Sequence, residues 1–108
     1  MKLDVFYIDA FTNNIFSGNP AAVIFTDLDN SKLMQKIAAE NNLSETAFID
    51  LDKGFIRWFS PTCEVNLCGH ATLASAYAYF NILKNDNPSI TLNSASGELK
   101  VNNKNDYL

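Results

Sequence analysis

The part of the sequence that most constrains the fold is residues 65–83, which contain no Asp, Glu, Lys or Arg. At helical spacing, large apolar residues line one side and mostly small residues cover the rest: Leu73, Tyr77 and Phe80, then Ala71, Ala74, Ala78 and Ile82. A helix that is apolar nearly all round has to be buried. Polar residues such as Ser75 and Asn81 interrupt the run too often for a membrane span. We therefore predict a central helix over residues 69–83 that is wrapped by β-sheet.

Strand patterns lie on both sides of this stretch. β-Branched and aromatic residues predict strands at 3–9, 21–26, 46–51, 55–60, 89–92 and 98–101. Hairpin turns are indicated at residues 52–54 and 96–97. An amphipathic helix is expected after a cap at Asn30 or Ser31, and it ends at residues 41–42. Together these elements predict an α+β fold in which one curled, barrel-like mixed sheet surrounds the buried helix.

Length, charge and cysteine content exclude several classes of protein. The 108 residues predict one domain over residues 1–108. The net charge is −4 and Arg57 is the only arginine, so no basic stripe is available for nucleic acid. The first residues include Asp4 and lack a long apolar run, which predicts a strand and not a secretion signal. The two cysteines, Cys63 and Cys68, favour reduced thiols in the cytoplasm.

The first candidate for chemistry is Glu45, which lies between the end of a predicted helix and an apolar strand. A carboxylate held among Leu43, Ala47 and Phe48 loses hydration, which favours its neutral form and raises its pKa. A general acid or base that works near neutral pH needs this kind of tuning. The alternative is a surface glutamate at the start of a strand.

The second candidate is the beginning of the buried helix, at residues 66–72. A glycine followed by a helix leaves free backbone N–H groups that can bind an anion. Gly69 allows a substrate carboxylate to approach the backbone, and His70, the only histidine, can donate or relay a proton. The alternative is a packed histidine that caps a core helix.

Metal and nucleotide sites are not expected. Cys63, Cys68 and His70 are three potential zinc ligands, but one of them would have to point away from the helix start. The four glycines are far apart in the sequence, so no glycine-rich phosphate loop is present. We predict that the protein uses no cofactor and no metal.

Several motifs along the chain resemble those of the PhzF-like family of phenazine-biosynthesis proteins. They are residues 6–12 (FYIDAFT), 16–23 (FSGNPAAV), 37–48 (IAAENNLSETAF), 57–62 (RWFSPT) and 64–74 (EVNLCGHATLA). The resemblance covers essentially the whole chain, with the motifs in the family's order. It implies a fold like one half of diaminopimelate epimerase, in which a curled sheet surrounds a central helix.

The resemblance also implies a chemistry and a set of site residues. Family members transfer a proton at carbon on a small carboxylated substrate without metal, nucleotide or pyridoxal. Glu45 matches the glutamate that carries the proton during isomerisation of a dihydro-hydroxyanthranilate. Gly69 and His70 match the substrate-binding glycine and histidine, and Gly18 and Asn19 match a loop near the same cleft. These assignments come from the resemblance alone.

Two departures leave alternatives open. Cys68 occupies the position of a thiol base in related epimerases and racemases, so a thiol-based epimerase is one alternative, while Cys63 matches no functional position. The chain stops at Leu108 without the family's second half, which supplies the other wall of the active site. Either a homodimer or a separate C-terminal half would have to replace it. A catalytically inactive binding domain is the further alternative. No nucleic acid or membrane partner is expected.

Overall fold

The computed structural model describes residues 4–9, 20–43, 45–66, 72, 75–76, 78–82 and 89–102. One α-helix, α1 (Ser31–Asn41), one π-helix (Ala78–Ile82) and seven strands lie in these segments. The strands are β1 (Asp4–Asp9), β2 (Pro20–Phe25), β3 (Glu45–Asp50), β4 (Phe55–Phe59), β5 (Glu64–Val65), β6 (Ser89–Ser94) and β7 (Gly97–Asn102). They form one sheet in the order β1-β2-β3-β4-β6-β7, with β5 also paired to β4. The predicted α+β class with a mixed sheet is confirmed.

Two parallel pairs set the arrangement of this sheet. β2 and β3 are parallel and are connected in sequence through α1. β4 and β6 are also parallel and meet at Phe55 and Asn93, whereas the other pairs are antiparallel. Because β2 and β3 run in the same direction, their first residues lie at the same end of the sheet. Ala21 is therefore the register partner of Glu45.

α1 forms where the sequence predicts it, and both of its ends are capped. The side chain of Asn30 accepts a hydrogen bond from the Leu33 N–H at 3.1 Å, which satisfies one free donor of the first turn. Asn42 adopts a left-handed conformation with φ of 52°, and its N–H donates to the Ala38 carbonyl at 3.1 Å. Asn30, and not Ser31, is thus the N-cap.

The sheet buries apolar side chains on both faces because successive residues of a strand point to opposite sides. On the α1 face, one cluster joins helix and sheet: Ile24, Met34, Ala38, Phe48 and Phe59. On the opposite face, a larger cluster is built around residues of β2, β3, β4 and β6: Ala21, Val23, Ala47, Ile49, Ile56, Trp58, Ile90 and Leu92. Ala76, Ala78, Tyr79 and Phe80 complete this second cluster.

The predicted burial of the central helix is confirmed for the residues of it that the structure describes. Thr72, Ser75 and Ala76 are helical and buried. Ala78–Ile82 is a π-helix, which the sequence does not predict. No helix in the described part of the chain is long and apolar enough to cross a membrane.

The sheet is open among the described strands, because β1 and β7 end the strand order without pairing to each other. The predicted barrel-like curl therefore stays a prediction. Both predicted hairpin turns are present, and each uses a glycine with positive φ, 65° at Gly54 and 112° at Gly97. Strand β5 has only two residues, and no sequence pattern predicts it.

Candidate functional site

Glu45 is the first residue of β3 and lies on the face opposite α1. Its side chain shares this face with Ala47 and Ile49 because of the two-residue period of the strand. The residue is half-buried, and its Oε2 atom is inaccessible to solvent. Of the apolar residues predicted to surround Glu45, Ala47 shares its face, whereas Phe48 points to the α1 face, and the catalytic role of Glu45 stays a prediction.

The other predicted site residues lie outside the described residues. They are Gly18, Asn19, Cys68, Gly69 and His70. Of their sequence neighbours, Pro20 begins β2 and Asn66 follows β5. The meeting of Glu45 with these residues in one site stays a prediction.

β5 brings the chain to the end of the sheet where Glu45 lies. Thr46 pairs with Phe59, and Phe59 pairs with Glu64, so the three residues form a row across neighbouring strands. At the usual spacing of strands, Glu64 is roughly 10 Å from Thr46. The carbonyl of Asn66 then accepts a hydrogen bond from Ser96 Oγ at 2.6 Å, which ties the residue after β5 to the β6–β7 turn.

A second cluster of functional groups surrounds Arg57 on the α1 face. Its Nε and Nη2 atoms donate to the two carboxylate oxygens of Glu64, each at 2.8 Å. Nη2 also donates to Ser31 Oγ at 2.8 Å, and Nη1 lies 3.3 Å from Asp29 Oδ1 and 3.5 Å from Met34 Sδ. All five N–H donors of the guanidinium are therefore directed at partners.

The ion pair between Arg57 and Glu64 alters the titration of both groups. The hydrogen bonds with Glu64 raise the pKa of Arg57 above its ordinary value, although partial burial opposes this. The hydrogen bonds from Arg57 lower the pKa of Glu64, with burial again opposing. The guanidinium also lies 5.3 Å from the centroid of the Phe59 ring, which adds a cation–π contact. Sequence reasoning identified Arg57 only as the single arginine and missed this network.

A cavity of about 340 Å³ lies beside Arg57 on the α1 face. Its lining residues come from the segment before α1, from α1, and from β3, β4 and their connecting turn: Thr26, Leu28, Asp29, Met34, Phe48, Asp50, Lys53, Phe55 and Arg57. The cavity is near the far end of β3 from Glu45, on the other side of the sheet. It is not part of the predicted catalytic site.

Metal ligands do not cluster in the described segments. No group of three His, Cys, Asp or Glu residues there is arranged to hold a metal ion. Cys63 is exposed and forms no disulfide. Because Cys68 and His70 lie outside the described residues, the prediction of no metal site is not tested by this finding.

Comparison with known proteins adds a consistent pattern of similarity. The model of the phenazine biosynthesis-like protein family (PhzC-PhzF) matches residues 8–107. An uncharacterized isomerase of Pseudomonas aeruginosa is 48% identical over 112 residues, which cover 100% of this chain and 43% of the relative. A PhzF-family crystal structure from Enterococcus faecalis superposes with a TM-score of 0.87 at 42% identity and covers 98% of this chain and 42% of that one.

A more distant likeness is to the structure of a predicted epimerase from Pseudomonas aeruginosa. Its TM-score is 0.71 at 27% identity, and the match covers 89% of this chain and 36% of the epimerase. The chain thus spans about two fifths of the length of the relatives that it matches. Since the family model covers nearly every residue, the chain belongs to the phenazine biosynthesis-like (PhzC-PhzF) family.

Proposed function

We propose that this chain is the N-terminal half of an isomerase that moves a proton on a small carboxylated substrate, with Glu45 as the acid and base. The observation that carries the proposal is the burial of Glu45 Oε2 at the start of β3. Membership of the family supports it, and so does the isomerase name of the Pseudomonas aeruginosa relative.

The proposed step needs one carboxyl group that both accepts and returns a proton. Glu45 in its charged form takes a proton from one carbon of the substrate and, once neutral, gives it to another, so that the enzyme is unchanged at the end. Removing a carboxylate from water disfavours its charged form and strengthens it as a base. The burial of Oε2 supplies that environment without requiring a metal or an organic cofactor in the step.

Substrate binding is proposed for four residues that lie outside the described part of the chain: Gly18, Asn19, Gly69 and His70. Gly69 would bind the substrate carboxylate through the backbone, and His70 would donate a hydrogen bond or relay a proton. The parallel pairing of β2 and β3 supports this, because Ala21 beside Glu45 is only two residues after Asn19 in sequence.

The fold of the complete site is also part of the proposal. Residues 1–108 would form one domain whose sheet curls around the buried helix, as in one half of diaminopimelate epimerase. The second wall of the cleft would come from a second copy of the chain or from a C-terminal half, since the relatives are more than twice as long. The free thiol of Cys63 supports a cytoplasmic location.

A thiol-based epimerase is the second candidate, and the likeness to the predicted epimerase favours it. In that mechanism Cys68 would remove the proton as a thiolate, and a second base from the other wall would return one to the opposite side of the carbon. The two candidates differ in which residue exchanges the proton with solvent.

The decisive experiment is proton exchange in heavy water. The purified chain is incubated with dihydro-hydroxyanthranilate, and deuterium uptake at carbon is followed by NMR. We expect Glu45→Gln to lower the rate by roughly 100-fold to 10,000-fold, because the amide cannot take up a proton. Glu40→Gln is the matched control, since Glu40 is exposed on α1. Light scattering on the same samples shows whether the active species is a dimer.

The outcomes separate the candidates. Uptake that survives in Glu45→Gln but not in Cys68→Ala would replace the proposal by the thiol mechanism. No uptake by the unmodified chain, with a monomeric mass, would show that this chain alone is catalytically inactive.

A further inference from the structure

We propose that the cavity on the α1 face binds a small organic ammonium ligand, that is, a protonated amine on an apolar body. The cavity is separate from the predicted catalytic site, because its residues on β3 are Phe48 and Asp50, which point away from the face of Glu45. Its volume of about 340 Å³ lies within the range of small-molecule sites in proteins. Its occupant is thus a second ligand and not the isomerase substrate.

The lining of the cavity suits an apolar or aromatic body. Met34 and Phe48 are almost completely buried, with 3% and 2% of their surface exposed, and contribute apolar side chains to its wall. Leu28 adds a half-buried aliphatic side chain. Phe55 is 39% exposed, so its ring is an apolar surface that a ligand can cover. Burial of such surface favours binding of an apolar group.

Arg57 lines the cavity but does not make it an anion site. Its five donors are already directed at Glu64, Ser31, Asp29 and Met34. An anion would have to displace one of these partners, and the bidentate pair with Glu64 already offsets the charge of the guanidinium. The hydrogen-bond donors of Arg57 are therefore already engaged by other residues of the protein.

The two carboxylates that line the cavity, Asp29 and Asp50, can each accept a further hydrogen bond from a cation. Asp50 accepts the Lys53 backbone N–H through Oδ1 at 3.0 Å, and its Oδ2 has no donor among the described residues. Asp29 contacts Arg57 through Oδ1 only, at 3.3 Å. Within the described segments, the ammonium of Lys53 forms no ion pair with either residue. Lys53 is exposed, so solvent and salt screen its repulsion of a bound cation.

The aromatic rings and the carboxylates together favour an ammonium group over a neutral one. A cation beside the face of Phe55 is attracted by the ring electrons, and the free oxygen of Asp50 can accept a charge-assisted hydrogen bond from it. Because Asp50 and Phe55 are register partners across β3 and β4, the two groups lie next to each other at one wall of the cavity.

The test is an NMR titration of the 108-residue chain with phenethylamine, which joins a phenyl ring to a primary ammonium group. We expect shifts of the amide signals of Phe48, Asp50 and Phe55 with a Kd of about 1–10 mM, as suits a small ligand in an open site. The control ligand is 3-phenylpropionate, which has a similar body and the opposite charge. It should bind at least about fivefold more weakly.

A pair of variants tests whether the negative charge of Asp50 is the one that favours phenethylamine binding. Asp50→Asn keeps an oxygen for the Lys53 N–H and should weaken phenethylamine binding by roughly fivefold. Asp52→Asn removes an equal charge from an exposed residue of the same turn that does not line the cavity, and it should leave binding unchanged. Equal binding of the two ligands, equal effects of the two variants, or no shift up to about 50 mM phenethylamine would each overturn the proposal.

Discussion

On the α1 face of the sheet, a charged network adds to the apolar cluster between helix and sheet, and the donors of Arg57 are directed at Glu64 on β5, at Asp29 before α1 and at Ser31 on α1. On the opposite face, Trp58 is 1% exposed and packs in a cluster of apolar residues at whose edge β3 begins with Glu45. Arg57 and Trp58 are adjacent residues of β4, but Arg57 lies on the α1 face and Trp58 lies on the opposite, apolar face.

The difference shows how one short strand serves two purposes. The polar network fixes segments that have little packing of their own, above all the two residues of β5. The apolar face excludes water, which is the condition under which a carboxylate becomes a useful base near neutral pH. Both faces of the sheet therefore contribute to stability, and the proposed chemistry depends on the face opposite α1.

The largest effect on stability is expected at Trp58, the centre of the apolar face. Trp58→Ala removes a fully buried aromatic side chain and should lower the free energy of unfolding by about 3–5 kcal/mol. Phe55→Ala is the control, because Phe55 is an aromatic residue of the same strand, lies on the other face and is 39% exposed. It should cost about 1 kcal/mol or less. Urea unfolding followed by circular dichroism measures both.

Equal losses in Trp58→Ala and Phe55→Ala would break the comparison, because the two faces would then contribute alike. Trp58→Phe sharpens it further. The indole Nε1 is buried and has no hydrogen-bond partner among the described residues. Phenylalanine keeps the apolar packing and removes that donor, so it should cost less than half of the alanine effect.

A smaller effect is expected at Arg57. Arg57→Ala breaks contacts with two acidic residues and with α1, and should lower the free energy of unfolding by about 2 kcal/mol, which corresponds to a fall in Tm of roughly 10 °C. This value is below that for a fully buried pair because the side chains of Arg57 and Glu64 remain 18% and 38% exposed. Differential scanning calorimetry provides the measurement.

Two further variants test whether the geometry of Arg57 matters as well as its charge. Arg57→Lys keeps the charge but cannot donate to both oxygens of Glu64, so it should recover less than half of the lost stability. Lys36→Ala removes a charge from the exposed side of α1 and should change Tm by no more than about 2 °C. Full recovery in Arg57→Lys would show that charge alone accounts for the network.

The sequence predicts those features that depend on neighbouring residues. The absence of charge over residues 65–83 predicts a buried segment, and Asn30 predicts the start of α1. Local spacing is sufficient in each case, because burial and capping act within a few residues along the chain.

The features that the sequence does not predict depend on residues far apart in the chain. The Arg57 network joins β4 to Asp29, 28 positions earlier, and to Ser31. β5 is too short to show a period, and the parallel contact of β4 with β6 joins Phe55 to Asn93. The cavity is formed by two stretches that are separate in sequence, within residues 26–34 and 48–57. Glu45 could be selected by its apolar neighbours in sequence, but its proposed meeting with the other site residues would depend on similar long-range contacts.

The smallest effect, and the one that most directly tests the polar face, is the pH dependence of Glu64. Hydrogen bonds from Arg57 lower the pKa of Glu64 below its ordinary value of 4.5. A carboxyl group with a lowered pKa in the folded state contributes stability above its unfolded pKa, and loses it as the pH falls through the folded pKa. Glu64→Gln should therefore cost about 0.5–1 kcal/mol at pH 7, and the difference from the unmodified protein should shrink below about pH 4.5.

Urea unfolding at pH 7 and near pH 3, followed by the fluorescence of the single tryptophan, measures this difference. Glu40→Gln on the exposed side of α1 is the control and should show no loss at either pH. A cost of Glu64→Gln that stays constant down to pH 3 would mean that the charge of Glu64 is not what stabilises β5. Contacts that the carboxyl group makes in both its charged and its neutral form would then hold the strand, and the two faces of the sheet would differ in packing and not in electrostatics.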